Sequence, residues 1–233
     1  MRGAAAVETR RVGLFAALVL VGVLAACADE PEVPLGPVPA TLAQLTGPWQ
    51  AAPLSLDPVM WSTIEGACRR DIEFPAGAHA MHIEVRGGGV AIVRMTGAQS
   101  GTCYALQITP DGRVNGAGPG SRSEASEHWL IPPGRTLGPV EQQIVEGGEL
   151  KVSGWSVNGP VGEGIQTVIV QPLGRPQIVA TVMNGWFSAW WPAQLVDPNA
   201  PAGQGLRPHD QAPPPVSIQG LDANGNVVNQ IGG

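Results

Sequence analysis

Punctuation constrains this chain more than any other feature. Glycine and proline supply 32 and 23 of its 233 residues, and they cut nearly every apolar stretch down to five to seven residues. Glycine and proline disfavour the interior of helices and strands alike and mark turns instead. The surviving segments are short and rich in β-branched and aromatic residues: 81–85, 90–96, 103–109, 151–157, 165–171, 177–183, 186–191, 216–221 and 226–231. Between them lie Arg86-Gly87-Gly88-Gly89, Pro110-Asp111-Gly112, Gly174-Arg175-Pro176, Asn184-Gly185 and Asn224-Gly225, which tolerate the positive φ of tight turns. Short strands at this spacing predict a mainly β chain, an antiparallel β-sandwich-like architecture. One short N-terminal helix interrupts it at Pro58–Cys68. Asp57 is a good N-cap, Pro58 suits the first helical position, and Met60, Ile64 and Ala67 or Cys68 repeat at helical spacing.

The N-terminus has a different composition. Arg2, Arg10 and Arg11 precede an uncharged apolar run of 15 residues, Val12 to Ala26. A spanning helix needs about 20 residues, so the run reads as the apolar core of a signal peptide. It ends in Leu24-Ala25-Ala26-Cys27, which resembles the lipobox of bacterial lipoproteins. The resemblance implies cleavage after residue 26, a diacylglyceryl group on the Cys27 thiol, and an outward-facing protein anchored to the cell membrane. Two acyl chains are what stable anchoring requires.

With Cys27 assigned to lipid, Cys68 and Cys103 remain. An even remainder in an exported chain predicts one disulfide. Neither cysteine sits in a C-x-x-C pair or beside a histidine, so a metal site or a nucleophilic thiol is the weaker reading. Loss of the leader also removes three arginines and Glu8, leaving 10 basic and 18 acidic residues and a net charge of −8. Lys151 is the only lysine. With no basic cluster to displace counterions, nucleic acid is excluded as a natural partner.

Composition divides the chain into a signal peptide at 1–26, a lipidated cysteine with a Pro-rich tether at 27–56, a disulfide-bearing half at 57–117, a loop at 118–148 and a second β half at 149–231. A single β-sandwich is the rival organisation. Leu42, Leu45 and Trp49 are apolar enough for the end of the tether to dock. The 116–148 and 197–215 segments are long and rich in glycine or proline, and loops of that length are usually functional or disordered.

Motifs that carry chemistry are few. There is no G-x-S-x-G, no H-E-x-x-H and no S-x-x-K. Alternation places His82, Glu84 and Arg86 on one face of a strand and Met81, Ile83 and Val85 on the other. Two adjacent ligands with no third make the first face a solvated, charged surface rather than a metal site. Asp222-x-Asn224-x-Asn226 opens like a calcium loop, but Val227 and Gly233 stand where the glycine and bidentate glutamate belong. Gly87-Gly88-Gly89 lacks the lysine and helix of a phosphate loop. No cofactor is implied.

The strongest remaining feature is aromatic. Trp186, Phe187, Trp190 and Trp191 fall within six residues. Alternation sets Trp186, Ser188 and Trp190 against Phe187, Ala189 and Trp191. One set is core; for the other, core is favoured over an exposed platform for an envelope glycan or protein. The segment Asn184-Gly185-Trp186-Phe187-Ser188-Ala189-Trp190-Trp191-Pro192, after the strand pair 168–182, resembles a C-terminal module of uncharacterised actinobacterial envelope proteins. That likeness covers the second half of the chain and implies no activity. The expected function is a lipid-anchored, non-catalytic binding or structural module. The alternative is an envelope hydrolase in which Asp71, Glu73 and Glu84 pair for acid and base work, as carboxylates do in glycosidases.

Overall fold

The computed structural model describes residues 38–97, 99–116, 121–124, 131–146, 153–193 and 212–232. Residues 1–37, with Cys27 and the segment read as a signal peptide, and Trp129, His128, Lys151 and His209 lie outside the described residues. Two helices, α1 (Leu42–Thr46) and α2 (Pro58–Asp71), precede the strands. Both start where local chemistry directs. Thr41 and Gln44 form a reciprocal capping box at α1, and the Asp57 carboxylate accepts from the Met60 N–H at 2.7 Å with Pro58 in the first turn of α2.

Three antiparallel sheets follow. The first runs β1 (His79–Val85), β2 (Val90–Thr96), β3 (Gln99–Ile108) and β4 (Val114–Asn115), with β5 (Ser121–Glu124) also on β3. The second has the order β10 (Thr181–Met183), β11 (Trp186–Pro192), β7 (Ser153–Pro160) and β6 (Glu141–Glu146). The third has the order β13 (Val227–Ile231), β12 (Val216–Leu221), β8 (Thr167–Pro172) and β9 (Ile178–Val179). Mainly β structure with antiparallel pairing is what the turn spacing predicts, although three sheets are stacked rather than two. β5 and β6 fall inside the stretch read as a loop. Polar sequences such as Glu141-Gln142-Gln143 carry no strand propensity, and pairing with β7 from Glu141↔Asn158 to Glu146↔Ser153 supplies what the local sequence lacks. The segment read as one strand over 177–183 breaks at Ala180, whose N–H turns to the Val168 carbonyl.

Side-chain alternation explains the layering. On the outer face of the first sheet, Ile83, Val85, Ala91, Val93, Met95 and Cys103 pack against Ile64, Ala67 and Cys68 of α2. A bulge opposite β2, between Ala91↔Leu106 and Val93↔Cys103, shifts the phase of β3 so that Leu106 joins Cys103 on this face. The inner face of the first sheet meets the second sheet through Val90, Ile92, Tyr104, Val145 and Trp190. The second and third sheets close on Val157, Phe187, Ala189, Trp191, Val168, Val170, Ile178 and Ile218. The order is therefore α2, first sheet, second sheet, third sheet. Residues Pro37–Gly233 form one compact unit, in which the 57–117 and 149–231 halves meet along the inner face of the first sheet. The start of that unit is docked: Leu45 is buried, and Leu54 donates its N–H to the Val85 carbonyl.

Cys68 and Cys103 are bonded, with Cα atoms 5.8 Å apart, tying α2 to β3. Closing a loop of this size contributes roughly 3–4 kcal/mol by restricting the unfolded chain. The Cys68→Ser/Cys103→Ser double variant is expected to lose that amount in urea unfolding; a loss below about 1 kcal/mol would show that the bridge constrains little.

Candidate functional site

Three of the polar side chains singled out in the sequence, those of one face of β1 and the residue after it, lie in the layer between the first and second sheets, and they are buried. His82, Glu84 and Arg86 are 1%, 0% and 0% exposed, which corrects the expectation of a solvated strand face. Alternation did place them together, opposite Ile83 and Val85. What it could not show is that a second sheet covers that face.

Arg86 organises the cluster. Its guanidinium forms an ion pair with Glu84 and donates to the carbonyls of Ala51 and Val179. One side chain thus joins β1, the segment after α1, and β9. The second Glu84 oxygen accepts from the Thr181 hydroxyl on β10. Both carboxylate oxygens are satisfied, as a buried charge requires. Burial pushes the Glu84 carboxyl above its ordinary range, while Arg86 and the Thr181 hydroxyl pull it back.

His82 joins the first sheet to the second. Its Nε2 lies 3.2 Å from the Thr181 carbonyl. A carbonyl only accepts, so Nε2 carries the proton and Nδ1, 3.5 Å from Ser188 Oγ, is the acceptor. Burial pushes the imidazole down to about 4, partly offset by the Thr181 carbonyl and reinforced by Arg86. Arg94 faces His82 across β1 and β2. Its Nη1 donates to Thr102 Oγ1 at 3.1 Å, and its guanidinium carbon sits 4.7 Å from the Trp186 ring centroid, a cation–π contact.

The Trp-rich strand lies in the same layer and is no platform. Trp186, Phe187, Trp190 and Trp191 are 2%, 0%, 0% and 3% exposed, so the ligand-platform alternative is corrected to core on both faces. The reason is position: β11 is an inner strand of the middle sheet, flanked by β10 and β7 and covered by a sheet on each side. Trp190 stands edge-on to Trp49, with ring centroids 6.4 Å apart, and its carbonyl accepts from Trp49 Nε1 at 2.9 Å. Above it lies the Gly87-Gly88-Gly89 turn. All three glycines have positive φ, and a Cβ on Gly88 would lie 3.2 Å from the Trp190 ring, one on Gly87 2.4 Å from the Pro48 carbonyl oxygen. The glycines let a turn close over an indole.

The other candidates are not brought together. Asp71 and Glu73 end α2 and its following turn, on the outer side of the first sheet, whereas Glu84 points into the layer on the other side. They form no acid–base pair with it. Asp222 accepts the N–H groups of Asn224 and Asn226 at 2.9 and 3.0 Å within the hairpin between β12 and β13, and these bonds hold its carboxyl below the usual range. Among the described residues no group of three or more His, Cys, Asp or Glu side chains is placed to hold a metal. Arg94, Thr181 and Ser188 were missed as members of the cluster. The phase of β2 puts Arg94 beside Val90 and Ile92 on one face, but no local signal links Thr181 or Ser188 to His82 across about a hundred residues.

One opening reaches the edge of this layer. A cleft of about 370 Å³ is lined by Leu54, Leu56, Trp61, Thr181, Val182 and Met183, among others. Its β10 wall carries the two Thr181 groups that hold His82 and Glu84. Comparison with known proteins gives no matching family model, no matching curated protein and no matching solved structure.

Proposed function

We propose that this protein is a lipid-anchored, non-catalytic structural or binding module of the bacterial cell envelope. The observation that carries the reading is Leu24-Ala25-Ala26-Cys27 directly after the 15-residue apolar run, a placement suited to signal cleavage and acylation. A disulfide between Cys68 and Cys103 fits an oxidising compartment. The likeness of 184–192 to actinobacterial envelope modules points the same way. The residues with catalytic potential support scaffolding over turnover: Glu84, His82 and Arg86 are buried, Glu84 and Arg86 pair with each other, and their remaining hydrogen bonds and those of His82 go to Ala51, Val179, Thr181 and Ser188 on other parts of the fold. In this reading attachment runs through Cys27; among the described residues no helix is long and apolar enough to cross a membrane.

Cys27→Ala, expressed in the source organism, is expected to abolish fatty-acid incorporation and to release the protein from membranes or stall it as a precursor. Unchanged membrane fractionation of a chain carrying no fatty acid would overturn the anchoring.

A further inference from the structure

We propose that His82 is an acid-sensitive latch: adding a proton to its ring releases β10 and the turn after it, residues 181–185, from β1 and opens the layer at the edge where the cleft lies. The geometry makes a second ring proton costly. His82 is the only contact described between a side chain of β1 and the Thr181 carbonyl, and no described ion pair or hydrogen bond joins its ring to a carboxylate. Glu84, the nearest acid on its own strand, is committed to Arg86 and Thr181.

The cations beside His82 repel a second ring proton, and the anion across the layer, Glu141, acts on one of them. Arg86 lies on the same face of β1, and Arg94 is the direct cross-strand partner on β2. Tyr104 on β3 and Glu141 on β6 act on Arg94. The elements packed against His82 from the second sheet present Thr181, Ser188 and Asn158, none of which titrates near neutrality. A histidinium would therefore be a third buried cation in a layer whose nearest anion is already paired.

The weakest element nearby sets where the layer parts. β10 has three residues, is an edge strand, and joins β11 through the two-residue turn Asn184-Gly185. The hydrogen bonds described between it, with the turn that follows, and the first sheet are the His82 and Glu84 contacts with Thr181 and the Asn184 side-chain amide donating to the Met81 carbonyl at 2.7 Å; the flanking Val179 and Trp186 keep their own ties to Arg86 and Arg94. The cleft already brings solvent to Thr181, Val182 and Met183. Short edges with few contacts open well below the free energy of global unfolding.

The sign follows from linkage. The closed state holds the imidazole at about 4 against an ordinary 6.5, so the open state binds the proton more tightly and acid favours opening, over the window between those values. Acidifying from pH 7 to 4.5 is expected to raise the opening equilibrium roughly 50-fold through His82. Glu84 acts in the opposite direction, because burial raises its carboxyl. The His82→Gln variant, which keeps a donor toward Thr181 but cannot charge, isolates the histidine contribution.

Hydrogen exchange of the full-length protein read by mass spectrometry, corrected for the intrinsic rate at each pH, tests the latch. Relative to His82→Gln, the wild type should lose roughly 50-fold of protection at residues 181–185 at pH 4.5 while α2 and β12 keep theirs. Equal protection in the two proteins at both pH values would overturn it, as would a uniform loss over the whole wild-type chain. If His82→Gln does not fold, exchange in the wild type alone decides: a loss of protection confined to 181–185 as pH falls from 7 to 4.5 supports the latch, and protection there unchanged over that range overturns it.

Discussion

Replacing Arg86 by methionine is expected to cost about 3–5 kcal/mol, measured by urea unfolding at pH 7. The substitution strands the Glu84 carboxylate in a fully buried site and removes the donors to the Ala51 and Val179 carbonyls. Two signatures separate loss of the ion pair from a general packing defect. First, Glu84 without Arg86 is raised further by its burial, so the folded state binds a proton that the unfolded state has released. Stability of the variant then falls as pH rises above the ordinary glutamate range, steepening its loss between pH 5 and 8 relative to wild type. Second, the Glu84→Leu/Arg86→Met double variant should recover part of the loss, since removing both partners leaves no buried charge. A single variant within about 1 kcal/mol of wild type would show that water reaches Glu84 and that the layer is not sealed.

Trp190→Ala and Trp191→Ala should each lose about 3–5 kcal/mol. The two rings point to opposite sides of β11, yet each enters a sealed layer: Trp190 beneath the glycine turn and beside Trp49, Trp191 among Trp155, Val168 and Ile218. From the sequence, unequal losses are the expectation, because a short strand bounded by Gly185 and Pro192 reads as lying near a sheet edge, where covering both faces is harder. In the structure both faces are core, so comparable losses are expected. Thermal or urea melts of the two single variants measure this, and a loss near zero for either residue would expose that face to solvent.

Much of the fold is written locally. Asp57 and Pro58 start α2 where expected, and the helix runs through Cys68 to Asp71 because Arg69 and Arg70 at its end are compatible with another turn. The Asn184-Gly185 and Asn224-Gly225 pairs fix hairpins, with Asn184 at φ 52 and Gly185 at φ 73. Strands 90–96 and 216–221 coincide with their predicted limits. The cysteine pairing also follows from counting. These signals depend on a residue and its neighbours, and so survive without knowledge of the rest of the chain.

The order of the strands in their sheets and the stacking of the sheets do not depend on neighbours. They determine whether His82-x-Glu84-x-Arg86 is a charged surface or a buried cluster, and whether Trp190 is a ligand platform or the centre of a layer. Alternation assigns residues to faces but is blind to what lies against each face. His82 meets Thr181 and Ser188 at separations of 99 and 106 residues, and only the packed second sheet supplies that contact. The sequence determined the helix, the turns, the disulfide and the pairing of side chains on each strand face through short-range propensity and sterics. The tertiary structure decided which faces lost water, because burial is a property of the partners a strand acquires, and those partners lie far away along the chain.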